Sequence, residues 1–215
     1  MRIIFIRHGE PDYERDCLTP LGHLQARAAA ERLQSEGVEA LYSSPMGRAR
    51  ETARYAADQL GLPVTILDFM RELRWDGHPW DTADALPALG WDLTDPLWPA
   101  HPLYADNRVV QSVERVETGT DEWLRSLGYV REGIYYRCQR PDDGQHTVAL
   151  FCHGGSSSAA MGRILHLPFP YVCAALHQPF TSLTILRLSR EPGSLRLPVI
   201  ELTGDDRHIR GLERL

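Results

Sequence analysis

Two apolar runs in this chain end in the same way, and that recurrence constrains the fold more than any other feature. Ile3-Ile4-Phe5-Ile6 stops at Arg7-His8-Gly9, and Val148-Ala149-Leu150-Phe151-Cys152 stops at His153-Gly154-Gly155. Neither run alternates polar with apolar residues. Strands of that kind are covered on both faces, as in a parallel sheet held between helix layers. Each junction sets an imidazole just past the carboxyl end of its strand, where open α/β sheets bind their ligands.

Helices and strands alternate between the two junctions. Leu21, Leu24, Ala28 and Leu33 recur at helical spacing, with Thr19 as N-cap, Pro20 at the first position and Gly37 as the stop. Residues 38–42 read as a strand. Ser43-Ser44-Pro45 turns into a helix running to about Leu60, with Gly61 as its stop, and 64–67 is a third short strand. Helices are also expected over 109–127 and 156–165, and closing strands over 179–188 and 195–202, joined by a hairpin through Glu191-Pro192-Gly193. The pattern predicts an α/β protein: a three-layer α/β/α sandwich with a largely parallel sheet, one domain over 1–215. An ordered cap is expected at 73–107, where four of the five tryptophans fall: Trp75, Trp80, Trp91 and Trp98.

Composition narrows the function. A net charge of -6 gives no overall basic field for a nucleic-acid backbone, so no nucleic-acid partner is expected. No stretch reaches the roughly 18 apolar residues of a membrane span, and the N-terminal run is too short for a signal peptide, so the expectation is a cytoplasmic protein with no membrane partner. Cys17, Cys138, Cys152 and Cys173 show no metal-binding spacing and read as free thiols. All 23 basic residues are Arg, which excludes a Walker lysine or a lysine Schiff base. Anions must be held by guanidinium, imidazole or backbone N–H.

The junctions supply those groups. Arg7 and His8 sit side by side at a strand end, followed by a glycine that lets a ligand approach the backbone. His153-Gly154-Gly155 adds a second imidazole and the N–H groups of a helix N-terminus, a cradle for phosphate. Arg48 follows the strand at 38–42, in the first turn of a helix, where a cation gains nothing from the dipole unless an anion lies between them.

These residues, with those around them, carry a resemblance. Ile4–Glu10 as Ile-Phe-Ile-Arg-His-Gly-Glu, the run Leu18-Thr19-Pro20-Leu21-Gly22, the segment 43–53, Arg71-Glu72-Leu73 and Phe151-Cys152-His153-Gly154-Gly155 resemble, in order, the histidine phosphatase superfamily, which includes phosphoglycerate mutases and many small phosphatases. The resemblance implies that His8 is the nucleophile that becomes phosphohistidine. It implies that Arg7, Arg48 and His153 surround the phosphoryl oxygens, with Gly154 beside them, and that Glu72 is the general acid and base. A ring of two guanidiniums and an imidazole suits the spread charge of a phosphoryl-transfer transition state without a metal or other cofactor.

The segment after Glu72 departs from the family's pattern, which makes Asp76 the alternative acid. His78, His101 and His177 are expected to be structural or exposed, and His23 to lie on a helix surface. The expected activity is hydrolysis of a small phosphorylated substrate. The alternatives are mutase-type phosphotransfer, for which the Asn near Tyr13 and a paired-Arg motif are wanting, and a catalytically idle phospholigand-binding member. The sequence sets no oligomeric state.

Overall fold

The computed structural model describes residues 1–77 and 92–212. Residues 78–91 of the expected cap, with His78, Trp80 and Trp91, lie outside these residues. The first run forms β1 (Arg2–Arg7), followed by a small hairpin of β2 (Pro11–Asp12) and β3 (Cys17–Leu18). Next come α1 (Pro20–Leu33), β4 (Ala40–Ser43), α2 (Gly47–Leu60) and β5 (Val64–Ile66). Thr19 caps α1 as expected, accepting from Gly22 N–H at 3.1 Å, and Gly61 ends α2 at φ 67°. α1 itself stops at Leu33, and Gly37 (φ 65°) ends the short 3-10 turn Gln34–Glu36 that follows, both glycines in a left-handed conformation that suits them.

The second half holds α3 (Arg108–Ser126), β6 (Tyr129–Glu132), β7 (Tyr135–Cys138), β8 (Thr147–Cys152), α4 (Gly154–Leu165), α5 (Phe169–Ala175), β9 (Leu183–Arg187), β10 (Leu195–Arg196) and β11 (Val199–Asp205). The main sheet runs β11-β9-β1-β8-β4-β5. β1, β8, β4 and β5 are parallel, and β9 and β11 close one edge antiparallel. Register pairs Arg7 with Cys152, so the two His-Gly junctions leave the sheet side by side.

Side-chain alternation builds the two outer layers. Ile3 and Phe5 of β1 join Val148, Leu150 and Cys152 of β8 in the core beneath α3 and α4. Ile4, Ile6, Ala149 and Phe151 point the other way, into the core with Ala30, Leu33, Ala53 and Ala56 of α1 and α2. Every one of these side chains is buried, which is why neither strand alternates in polarity.

Three local expectations are corrected. The helix expected over 156–165 begins two residues earlier, at Gly154 with His153 as N-cap, because the two glycines can take helical backbone as well as loop backbone. The strand expected over 195–202 is two strands: β10 leaves the sheet to pair with β7, and β11 pairs with β9. The hairpin of β6 and β7, turning at Gly133 (φ 64°), and helix α5 were not anticipated.

Candidate active site

His8 follows the last residue of β1 and is 1% exposed. Its backbone N–H donates to Cys152 O at 2.9 Å, and Gly9 N–H donates to Thr52 Oγ1 at 3.1 Å, which ties the turn to β8 and α2. The tautomer follows from the partners. Nδ1 lies 2.7 Å from the Gly9 carbonyl, which can only accept, so Nδ1 carries the proton. Nε2 receives the Arg48 Nε–H at 3.2 Å, and an arginine can only donate, so Nε2 presents its lone pair. Burial, and then the charges of Arg48 and Arg7, push the His8 pKa down to about 3, against the Gly9 hydrogen bond and Asp16, which favour the cation. The imidazole is neutral near pH 7.

His153 is fully buried, its ring centroid 5.1 Å from that of His8. Its Nε2 is 2.7 Å from Ser44 Oγ. Ser44 Oγ also accepts from Met46 N–H at 3.3 Å, and its hydroxyl proton is available to donate to the imidazole. In that arrangement the neutral ring carries its proton on Nδ1, which has no hydrogen-bond partner among the described residues. Burial first, then His8, Arg48 and Arg7, holds the His153 pKa well below the usual histidine range.

Two guanidiniums flank the imidazoles. Arg48, 5% exposed, donates NH1 to Asp16 Oδ1 at 2.6 Å, while Asp16 Oδ2 accepts from Gly47 N–H at 2.7 Å. Its Cζ stands 5.4 Å from the Tyr13 ring centroid. Arg7 donates NH1 to the Gln178 carbonyl at 2.8 Å and lies 4.3 Å over the Phe180 ring. Arg7 Nε is buried and without a partner among the described residues, and a Cβ on Gly154 would stand 3.9 Å from this guanidinium.

Glu72 sits on the N-terminus of α4. Oε1 accepts from Ser156 N–H at 2.9 Å and Oε2 from Gly155 N–H at 3.4 Å, with Leu73 N–H also donating to Oε1 at 2.9 Å. Two hollows meet there, both bordered by Glu72 and Trp75. One, of about 280 Å³, reaches Arg7, Gly154 and His177; the other, of about 660 Å³, reaches Tyr13, Arg48, Arg71 and Arg74. A third groove, of about 480 Å³, lies on the outside of α2 and touches neither imidazole.

Four of the six sequence-selected positions, Arg7, Arg48, Glu72 and Gly154, border these hollows, and the other two, His8 and His153, are buried beside them, His8 against both Arg48 and His153. Asp76 borders neither hollow: its carboxylate accepts from Arg108 N–H at 2.8 Å and Nε–H at 2.6 Å, bracing the start of α3. His177 is exposed but borders the cleft, His101 accepts from Leu103 N–H at 3.3 Å, and His23 meets Tyr55 OH at 3.2 Å between α1 and α2. Asp16, Thr52 and Gln178 were not foreseen, because each acts on a residue distant in sequence. Ser44 and Thr52 both lie in the segment 43–53, which the sequence alone gives no role beyond Arg48. Asp16 and Thr181 hold positive φ (51° and 55°) beside the site, and a β-branched residue there is strained. Thr181 N–H donates to Arg7 O at 2.9 Å.

The family model of the histidine phosphatase superfamily (branch 1) matches residues 3–200. The chain belongs to that superfamily. Glucosyl-3-phosphoglycerate phosphatase of Mycobacterium tuberculosis is 30% identical over 184 residues, 78% of this chain and 76% of that protein. A putative phosphoserine phosphatase of Hydrogenobacter thermophilus is 30% identical over 132 residues, 54% of this chain, and the match spans 64% of that relative's length. A probable phosphoglycerate mutase of Yersinia enterocolitica is 24% identical over 218 residues, 97% of this chain and 95% of that one. Among solved structures, a mycobacterial glucosyl-3-phosphoglycerate phosphatase in complex with inorganic phosphate superposes at a TM-score of 0.68 with 26% identity, covering 96% of this chain and 98% of that chain. This histidine phosphatase has a fold of the same class as its structural neighbours, an α/β sandwich with a largely parallel central sheet. It is a phosphatase of the histidine phosphatase type. No helix among its described residues is long and apolar enough to cross a membrane.

Proposed function

We propose that this chain hydrolyses small phosphomonoesters through a phosphohistidine formed on His8. The observation that carries the reading is the state of His8: buried, neutral, protonated on Nδ1, its Nε2 lone pair at the Arg48 guanidinium with the charge of Arg7 nearby. The Nε2 lone pair attacks phosphorus, an N–P bond forms, and the P–O ester bond breaks. Glu72, as a carboxylic acid, gives its proton to the leaving oxygen. Water then attacks phosphorus and loses a proton to the Glu72 carboxylate, the N–P bond breaks, and phosphate leaves. Arg7, Arg48, His153 and the Gly154 N–H hold the three non-bridging oxygens, where transition-state charge accumulates. Arg48 must turn its Nε–H from His8 to an oxygen for this, so substrate binding unveils the nucleophile.

The substituent occupies the hollows on either side of Glu72, with Trp75 as their shared wall. Trp75 packs on Phe169 at 5.7 Å, as Trp98 does at 5.5 Å, which supports 73–107 as a cap at its described ends. The mutase relative, matched over nearly its whole length, supports a second reading in which a hydroxyl of a second substrate replaces water.

The test is hydrolysis of 4-nitrophenyl phosphate in excess EDTA by wild type and His8→Ala, with acid-labile, base-stable phosphoenzyme measured after quenching. Turnover in EDTA that disappears in the variant is expected. Phosphoenzyme without turnover favours the mutase reading, and wild-type activity retained by His8→Ala overturns the assignment of the nucleophile.

A further inference from the structure

The larger hollow beside Glu72 carries more positive charge than a phosphoryl group needs. Arg48 on its wall is committed to His8 and Asp16. Arg71 and Arg74 stand on the same wall, one residue before Glu72 and two after it, both exposed. Neither forms an ion pair among the described residues. Their backbone is what ties them down: Arg115 NH2 donates to the Arg71 carbonyl at 2.7 Å, and Arg74 N–H donates to Ser112 Oγ at 3.1 Å. The segment is pinned on α3, and both residues line the hollow. Arg115 adds a third cation behind them. Its pKa is lowered by burial first and then by the charges of Arg71 and Arg74, with Glu72 the opposing contribution. Three mutually repelling cations around one carboxylate form a field that an anion would relieve.

We propose that Arg71 and Arg74 form a subsite for a second anionic group on the substrate, a carboxylate or a second phosphate carried by the part that leaves with the ester oxygen. The inference rests on the hydrolase reading, because that reading places the leaving oxygen at Glu72 and directs its substituent into this hollow. Arg71 and Arg74 flank Glu72 in the chain and line the same hollow, so a substituent that passes the acid enters the space they border. A guanidinium fork matches either oxyanion. The subsite acts by holding the substituent so that its ester oxygen faces the Glu72 carboxyl.

The experiment compares kcat/KM for matched probes: 3-phosphooxypropanoate against propyl phosphate for the carboxylate, and propane-1,3-diol bisphosphate against 3-hydroxypropyl phosphate for the second phosphate. At least one anionic probe is expected to be preferred about tenfold or more at low salt, with the preference shrinking as ionic strength rises. In Arg71→Gln/Arg74→Gln the preference is expected to fall toward one. The two probe pairs tell carboxylate from phosphate. Wild-type ratios near one, with all the esters hydrolysed, overturn the subsite and leave the hydrolase reading standing. A wild-type preference that survives the double substitution overturns the assignment to these arginines. If neither these esters nor 4-nitrophenyl phosphate is turned over, the hydrolase reading fails and takes the subsite with it.

Discussion

Arg48 donates its Nε–H to Nε2 of His8 at 3.2 Å while its NH1 is held by Asp16 Oδ1 at 2.6 Å. One guanidinium thus joins the nucleophile to a carboxylate on the loop between β2 and β3. Asp16 touches no substrate in the proposed mechanism, so its influence on the reaction runs through Arg48.

Asp16→Asn removes the charge that fixes Arg48 and should lower kcat/KM for 4-nitrophenyl phosphate about tenfold, whereas Arg48→Gln should cost about a hundredfold, within the range for one transition-state donor. Because the two residues act as a unit, the double variant should be no worse than Arg48→Gln alone. Steady-state kinetics on the four proteins measures this, and additive losses would show that Asp16 acts by another route.

Ser44 is the hydrogen-bond partner of His153 Nε2, at 2.7 Å. Ser44→Ala leaves the buried ring free to reorient and adds an unsatisfied nitrogen. The expected result is a kcat about tenfold lower with KM little changed, since His153 is assigned to the transferring phosphoryl group. An unchanged kcat would remove Ser44 from any role in positioning.

Glycine substitutions separate site from scaffold. A Cβ on Gly155 would stand 2.8 Å from Glu72 Oε1 and 3.1 Å from Leu73 side-chain atoms, so Gly155→Ala should displace the acid and lower kcat while the fold survives. A Cβ on Gly22 would meet the Glu10 carbonyl oxygen at 2.1 Å, a backbone atom that has no side-chain freedom to move aside. Gly22→Ala should therefore cost about 2 kcal/mol or more of stability. Urea denaturation alongside activity assays distinguishes the two effects.

Stability should fall on acidification through a window set by His8. The unfolded chain protonates this histidine below about 6.5, but the folded protein resists until about 3. Between those values the unfolded state binds more protons, so stability declines as pH drops, by up to about 1.4 kcal/mol per pH unit for this group. His153 is shifted in the same direction and adds to the slope. Urea midpoints between pH 7 and 5 should show this decline, and His8→Asn should make it shallower. Equal slopes in both proteins would contradict a neutral buried His8.

Much of this architecture was legible because it is written in local physics. Apolar runs covered on both sides mark β1 and β8, Thr19 and Pro20 mark the start of α1, and Gly37 and Gly61 mark where chain segments turn left-handed. The same runs placed His8 and His153 at strand ends, and the ordered motifs around them named Arg7, Arg48, Glu72 and Gly154. β10 and β11 could not be separated in this way, because which partner a strand pairs with depends on residues far along the chain.

What only the tertiary structure decided is how distant side chains meet. Glu72 and Asp76 are four residues apart and chemically alike. Folding carries the N-terminus of α4 to Glu72, with two of its N–H groups on the carboxylate, and turns Asp76 to Arg108 at the start of α3. The tautomer of His8 follows from a carbonyl one residue away and a guanidinium forty residues away. Residue type and spacing determine which groups are available, but a hydrogen bond depends on distance and direction in space. Those are fixed only when the parallel register of β1 and β8 brings the two junctions together.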